Sequence, residues 1–164
     1  MLRIFAIQIY TSMKMVFRLA TRDDISSLHN IRTAVKENVL SDPNRITPMD
    51  YREKLEVDGK GWLCEVEDEI AGFAIVDMKN KNIWALFVHP TFERKEIGKA
   101  LFTMMVDWAF EQGIDKLWLT TAANTKASRL YESMDWQKTG LEKKGEVRFE
   151  CTREMWQKFS LKSY

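Results

Sequence analysis

Apolar and polar positions change period along the chain and mark out an alternation of strands and helices. Residues 16–20 read as a short strand. Thr21 with Asp24 three residues on is a capping-box arrangement, and Ile25, Leu28, Ile31, Ala34 and Val35 then recur at helical spacing. A polar loop over 36–45 follows. Thr47 caps a second helix, with Pro48 at its first position and Asp50 three residues after the cap. Residues 61–67 alternate, with Trp62, Cys64 and Val66 on one face. An acidic turn, Glu67-Asp68-Glu69, leads into a strand over 70–78, so the two read as a hairpin. Residues 79–82 turn into 83–88, which are apolar on both pleat faces, as suits a central strand covered on both sides. Pro90 ends that strand because it has no N–H for the ladder.

The second half repeats the alternation. Residues 97–108 predict an amphipathic helix with Ile97, Leu101, Met104, Met105 and Trp108 on one face, stopped at Gly113. A strand follows over 116–120, then a helix opening after Asn124. Residues 145–151 alternate, with Val147, Phe149 and Cys151 toward the core and Glu146, Arg148 and Glu150 on the other face. From Thr152 a short tail helix is expected, with Trp156 and Phe159 on one side. Parallel strands joined through a helix imply a right-handed crossover, with ligands at the carboxyl ends of the strands. Residues 1–15 are apolar but broken by Gln8 and too short to span a bilayer. They read as an N-terminal extension, with Met13 or Met15 as alternative starts, or as an oligomer contact. Residues 16–151 then form the domain and 152–164 the tail.

The totals narrow the function classes. The chain has 164 residues, 45% hydrophobic and 30% charged, which suits one folded domain. A net charge of +1 gives no general attraction to nucleic acid or to an anionic membrane surface. Cys64 and Cys151 lie in apolar patterns and fit a reducing, cytoplasmic compartment as core residues. No histidine cluster accompanies them, so no metal site is expected.

The candidate chemistry sits between the central strand and the helix after it. Helix N-termini present unpaired N–H groups and partial positive charge. Gly98 lets an anion approach the backbone, and Arg94, Lys95 and Lys99 add positive charge. A phosphate site fits this pattern; so does an ordinary basic connection.

The stretch resembles the coenzyme A motif of the GCN5-related N-acetyltransferases: Val-x-Pro, then Gln/Arg-x-x-Gly-x-Gly/Ala opening a helix. Val88-His89-Pro90 matches the first part. The loop aligns as Glu93-Arg94-Lys95-Glu96-Ile97-Gly98, with Glu93 where Gln or Arg is usual and Glu96 where the first glycine is usual. A second motif is similar too: Asn124, then a helix carrying Leu130-Tyr131-Glu132, with Asp135 in place of the motif's glycine and Trp136 in place of its phenylalanine. The resemblance runs from about Val16 to Cys151. It implies a mixed α/β (α+β) fold: a mostly antiparallel central sheet, helices on both faces, and a splayed parallel strand pair at the cofactor site.

It also implies acetyl transfer from acetyl-coenzyme A to a primary amine by direct attack, the acceptor being a small molecule or a peptide. Leu86, Phe87 and Val88 would serve the cofactor and the oxyanion through their backbone. Arg94, Lys95, Glu96, Ile97, Gly98, Lys99 and Ala100 would hold the pyrophosphate, with Asn124, Ser128 and Tyr131 from the second motif. Tyr131 would protonate the leaving thiolate; otherwise it is a ring packed in the core. Glu37, Asn38 and Asp42 are candidate acceptor contacts, or a solvated loop. A base could come from Glu37, Glu65, Asp77, Glu146, Glu150 or His89, with Glu37 and Glu150 favoured as acceptor contacts. A homodimer is left open. The alternative is a non-catalytic acyl-coenzyme A-binding or regulatory module on the same fold.

Overall fold

The computed structural model describes residues 13–36, 45–93, 96–141 and 145–162. Seven strands form one sheet in the order β1-β2-β3-β4-β5-β7-β6. They are β1 (Met15–Leu19), β2 (Gly59–Val66), β3 (Glu69–Asp77), β4 (Asn82–Val88), β5 (Lys116–Ala122), β6 (Gln137–Leu141) and β7 (Glu146–Thr152). The helices are α1 (Ile25–Ala34), α2 (Pro48–Glu53), α3 (Ile97–Glu111), α4 (Lys126–Ser133) and α5 (Arg153–Lys162). Every neighbouring pair is antiparallel except β4–β5, which is parallel and joined through α3. This is the mixed, mostly antiparallel sheet that the sequence leads one to expect.

Helices cover both faces. α1 and α2 close one side around Ile25, Leu28, Ile31 and Tyr51, which meet Leu63, Phe73, Ile75 and Ala85 of the sheet. The larger core lies on the other side. There Ile97, Leu101, Phe102, Met105 and Val106 of α3 meet Trp62, Cys64, Val66, Ala74, Val76, Leu117, Leu119, Val147 and Phe149. Trp62, Cys64 and Val66 share this face, as their alternation predicts. Cys64 and Cys151 are free thiols in this core.

The local signals act as expected at two helix starts, those at Thr21 and Thr47, and a third start of the same kind opens α4. Thr21 with Asp24, Thr47 with Asp50 and Thr125 with Ser128 each close a reciprocal capping box. Gly113 follows α3 at φ +96, a left-handed turn that suits glycine.

Four features differ from expectation. Met104 is 37% exposed, while Phe102, Val106, Ala109 and Phe110 of α3 are buried. The buried face is rotated because α5 packs over α3: Trp156 meets Phe102 edge-on at 6.1 Å and donates from Nε1 to Asp107 at 2.7 Å. α2 runs on into a five-residue π turn, Lys54–Asp58. β6 was not anticipated, and all five of its residues are exposed, so it has no apolar alternation to reveal it. The central strand also carries a bulge, which shapes the site.

Candidate active site

The bulge is at Trp84. Ile75 of β3 opposes Ala85, but Val76 opposes Ile83, so Trp84 is an extra residue. Trp84 and Ala85 therefore both join the α1 side, whereas Ile83 and Leu86 join the α3 side. The bulge bends β4 beside its parallel neighbour. β4 and β5 are paired only at Asn82 and Trp118. There Trp118 N donates to the Lys81 carbonyl at 3.1 Å, and Asn82 Nδ2 donates to the Trp118 carbonyl at 3.2 Å. Beyond this point the edge of β4 facing β5 has no strand partner among the described residues. β5 stays paired with β7 over its whole length, Lys116–Ala122. The sheet is thus open along the carboxyl halves of β4 and β5, beside Leu86, Phe87 and Val88.

α3 begins at that open end. His89 Nδ1 accepts from Thr91 N at 3.1 Å and starts a tight turn, Pro90–Phe92, that reverses the chain. His89 is a loop residue with its ring nitrogen engaged. The first helical bond of α3 runs from Ala100 N to the Glu96 carbonyl at 3.1 Å. The N–H groups of Ile97, Gly98 and Lys99 precede it and so lack intrahelical acceptors. Among the described residues no side chain caps them, whereas α2 and α4 are closed by capping boxes. A Cβ built on Gly98 would lie 3.5 Å from Val88 Cγ2, an ordinary contact, so packing does not demand glycine here. Gly98 leaves room for something other than protein.

The two acidic departures from the loop motif have different surroundings. Glu93 accepts from Lys126 Nζ at 2.8 Å, so its charge is compensated by α4. Glu96 is exposed at φ 58 and ψ 18, a left-handed conformation that glycine would adopt without strain. Asp135, where the second motif has glycine, is also left-handed at φ 61. Lys99 is exposed and Ala100 half-buried, one turn into α3. Arg94 and Lys95 lie outside the described residues.

The second motif forms the turn from β5 into α4. Asn124 is exposed at φ 61. Thr125 Oγ1 donates to the Ala122 carbonyl at 2.9 Å and fixes α4 to the end of β5. Ser128 is buried, and its hydroxyl closes the capping box with Thr125. That hydroxyl is committed to positioning the helix. Tyr131 is 5% exposed, with its ring against Phe102, Trp136 and Phe149 at 5.2, 6.3 and 5.7 Å. Burial pushes its phenol well above the ordinary value, so it stays protonated.

The candidate bases are scattered. Glu65 pairs with Arg18 at 2.8 Å between β1 and β2. Asp77 is 2% exposed and accepts from Lys54 Nζ at 2.9 Å and Asn80 Nδ2 at 2.8 Å, at the end of the sheet away from the opening. Glu150 opposes Trp118, where β4 and β5 are still joined. Arg148 at 3.0 Å and Lys116 at 3.3 Å hold its carboxyl below the usual range, which weakens it as a base. Glu146 opposes Ala122 at the open end and is exposed. Glu37, Asn38 and Asp42 lie outside the described residues.

One group on the α1 face escaped the sequence reading. Arg32 lays its guanidinium over Phe87 at 4.8 Å and over Trp84 at 5.4 Å. Tyr51 of α2 is buried beside it, meeting Trp84 edge-on at 5.3 Å, and its hydroxyl is 3.1 Å from His29 Nδ1. The signal was spacing: Arg32 continues the Ile25-Leu28 stripe at i+4, so it follows the apolar face inward.

The sequence profile of the acetyltransferase (GNAT) family matches residues 25–136, more than half of the chain. This chain belongs to that family. A stretch of 71 residues is 34% identical to a ribosomal protein bS18-alanine N-acetyltransferase of Salmonella typhimurium. The stretch covers 42% of this chain and 48% of that relative, about half its length. The fold is also similar to solved structures. The ribosomal-protein-S18-alanine N-acetyltransferase of Escherichia coli has TM-score 0.70 and 16% identity over 85% of this chain and 94% of that one. The PaiA N-acetyltransferase of Thermoplasma acidophilum, in complex with coenzyme A, has TM-score 0.72 and 12% identity over 85% and 99%. At these identities the likeness is one of fold. The opening between β4 and β5 and the uncapped start of α3 fit a GNAT acyl-coenzyme A site: one offers free strand edges and the other free N–H donors. No described helix is long and apolar enough to cross a membrane, and no group of metal-ligating side chains occurs among the described residues.

Proposed function

We propose that the chain is an N-acetyltransferase that moves the acetyl group of acetyl-coenzyme A to a primary amine by direct attack, the amine belonging to a small molecule or a peptide. The observation that carries this reading is the open β4 edge, Leu86–Val88, running straight to the uncapped N–H groups of Ile97, Gly98 and Lys99. When bound there, the cofactor supplies an activated thioester. His89 N donates to the Ala71 carbonyl beside β3, so Phe87, two residues earlier, also turns its N–H to β3, and the open β4 edge offers the Val88 N–H to the oxygen that becomes negative as the amine attacks. The start of α3 offers N–H donors and its dipole to the diphosphate, with Lys99 adding charge. Tyr131 keeps its proton at neutral pH and would donate it to the departing sulfur. Glu146 at the open end is better placed to receive the amine's proton than Glu150, which is already paired with two cations. The named alanine N-acetyltransferase relative supports an amine on a peptide as one acceptor class. The free, buried Cys64 and Cys151 support a reducing, cytoplasmic setting. The acetyltransferase domain would be residues 16–151, with 1–15 as an extension.

A second reading, a non-catalytic acyl-coenzyme A-binding module, draws support from the near-complete burial of Tyr131. One experiment separates the two. Acetyl-coenzyme A should raise the melting temperature, and Gly98→Trp should abolish the rise. With amines supplied, Tyr131→Phe should cut turnover and leave the thermal shift nearly unchanged. No shift with the parent protein would end the cofactor reading. A shift without turnover on any amine would favour the binding module.

A further inference from the structure

Arg32 and Arg153 both bury guanidinium nitrogens without acceptors, but Arg153 also reaches Asp115 and the Ile114 carbonyl, whereas Arg32 has no anionic partner among the described residues. Its Nε and Nη1 are out of water and have no hydrogen-bond acceptor. Among the described residues, the polar groups near it are the Tyr51 hydroxyl and the Arg45 guanidinium, which repels it. Neither is an anion at neutral pH. The other arginines in ion pairs are matched: Arg18 with Asp24, Arg22 with Glu56, Arg148 with Glu150 and Arg153 with Asp115. Buried donors on a cation normally find acceptors, because leaving them unmatched costs more than an ordinary hydrogen bond returns. Burial and Arg45 together hold the Arg32 guanidinium below its ordinary value, and among the described residues no carboxylate offsets it.

The place matters as much as the charge. Arg32 lies over Phe87 and Trp84, on the stretch of β4 that borders the opening and on the face away from α3. Cofactor is expected along the β4 edge and at the start of α3. The α1–α2 side of the same strand is left for the acceptor.

We propose that Arg32 receives a carboxylate carried by the acceptor amine, so that the substrate is an amine with an acid group nearby, of amino-acid or peptide type. The guanidinium would donate its N–H groups to the carboxylate oxygens, and Arg45 would add long-range attraction. The rings of Trp84 and Phe87 beneath it fix the orientation of the guanidinium. Cationic polyamines would be repelled by the same pair of arginines. This inference rests on the acetyl-transfer reading above.

The test uses amines offered as carboxylate and carboxamide twins, from β-alanine with β-alaninamide to dipeptides ending in glutamate or glutamine. Release of the coenzyme A thiol is followed. The carboxylate twin should be preferred about 10- to 100-fold in kcat/KM, as for a hydrogen-bonded charge pair. Arg32→Gln should erase that preference mainly through KM, and Arg32→Lys should keep part of it. Equal use of the twins by the parent protein overturns the proposal. So does an Arg32→Gln variant that lowers both twins alike, since that is the result of a structural role. If acetyl-coenzyme A shifts the melting temperature but no amine turns over, the Arg32 Nε–H resonance is titrated with acetate and with acetamide in the coenzyme A-bound protein. A response to acetate alone supports the site, and no response overturns it. Absence of any cofactor shift would instead strike at the acetyl-transfer reading, so the two failures are distinct.

Discussion

Glu96 is where this chain departs most from what its loop is expected to do, and its replacement tests both the backbone and the electrostatics. The residue is left-handed, at φ 58 and ψ 18, at the start of α3. For a residue with a Cβ that conformation costs about 1–2 kcal/mol. Glu96→Gly removes the strain but adds about 0.5–1 kcal/mol of unfolded-state entropy. It also forfeits about 0.3–1 kcal/mol from a carboxylate beside the helix N-terminus. The terms nearly cancel, so the free protein should unfold at almost the same denaturant concentration. Affinity should change more clearly. A carboxylate roughly 7 Å from a doubly charged diphosphate is repelled by about 1 kcal/mol in water, and screening at physiological salt roughly halves this. Both Glu96→Gly and Glu96→Gln should therefore bind acetyl-coenzyme A about two- to fivefold more tightly at low salt. The gain should shrink in about 1 M salt, where screening acts over about 3 Å. Only Glu96→Gln should lose stability, because it discards the charge and keeps the strain. Calorimetric titration at two salt concentrations, with urea melts of the free proteins, reads all of this. If neither variant binds more tightly at low salt, the start of α3 does not face the diphosphate.

Two further outcomes follow from the same physics. Asp135 is left-handed at φ 61 just past the end of α4, where a carboxylate opposes the helix dipole, and its pair with Lys162 at 3.4 Å is exposed and worth little. Asp135→Gly should thus stabilise by about 1 kcal/mol, unlike Glu96→Gly, and an unchanged urea midpoint would count against the strain. The Asp24 carboxylate accepts from Arg18 Nη1 and Nη2 at 2.9 Å each, and this guanidinium holds it below the ordinary carboxyl range. A lowered folded-state value means stability that is present above the unfolded value of about 3.9 and lost as pH falls through the folded one. Asp24→Asn should lose about 1–3 kcal/mol at pH 7 and show a shallower acid limb. A parent-to-variant difference that stays constant down to about pH 2 would refute the linkage.

Much of the fold was legible because local and global signals agree. Thr21 and Thr47 each precede an aspartate by three residues, and each closes a capping box. The alternation of Trp62, Cys64 and Val66 gave their shared face. The two acidic residues standing at motif glycines could be read as oddities, but only the backbone explains them: both positions are left-handed. Other features had no local signature. An extra residue at Trp84 does not interrupt an apolar run that is buried on both faces, so the bulge is silent in sequence. β6 is exposed throughout and is held by pairing with β7, a long-range interaction. The rotated face of α3 depends on where α5 lands. At the site, residues 86–88 and 97–100 meet because one short turn returns the chain to the end of the sheet. Arg32 was overlooked because a cation on an apolar stripe makes sense only beside the rings it covers.

The single register position joining β4 to β5 has a mechanical consequence. Mechanically the sheet is two plates, β1–β4 and β5–β7, hinged at Asn82 and Trp118. α3 acts as the splint, since its residues share one core with Ile83 on one plate and Leu117 and Leu119 on the other. A ligand lying in the opening would take the place of missing ladder bonds and tie the plates at the end far from the hinge. Such a protein stiffens when loaded and loosens when it releases, and amide exchange should slow on both plates together.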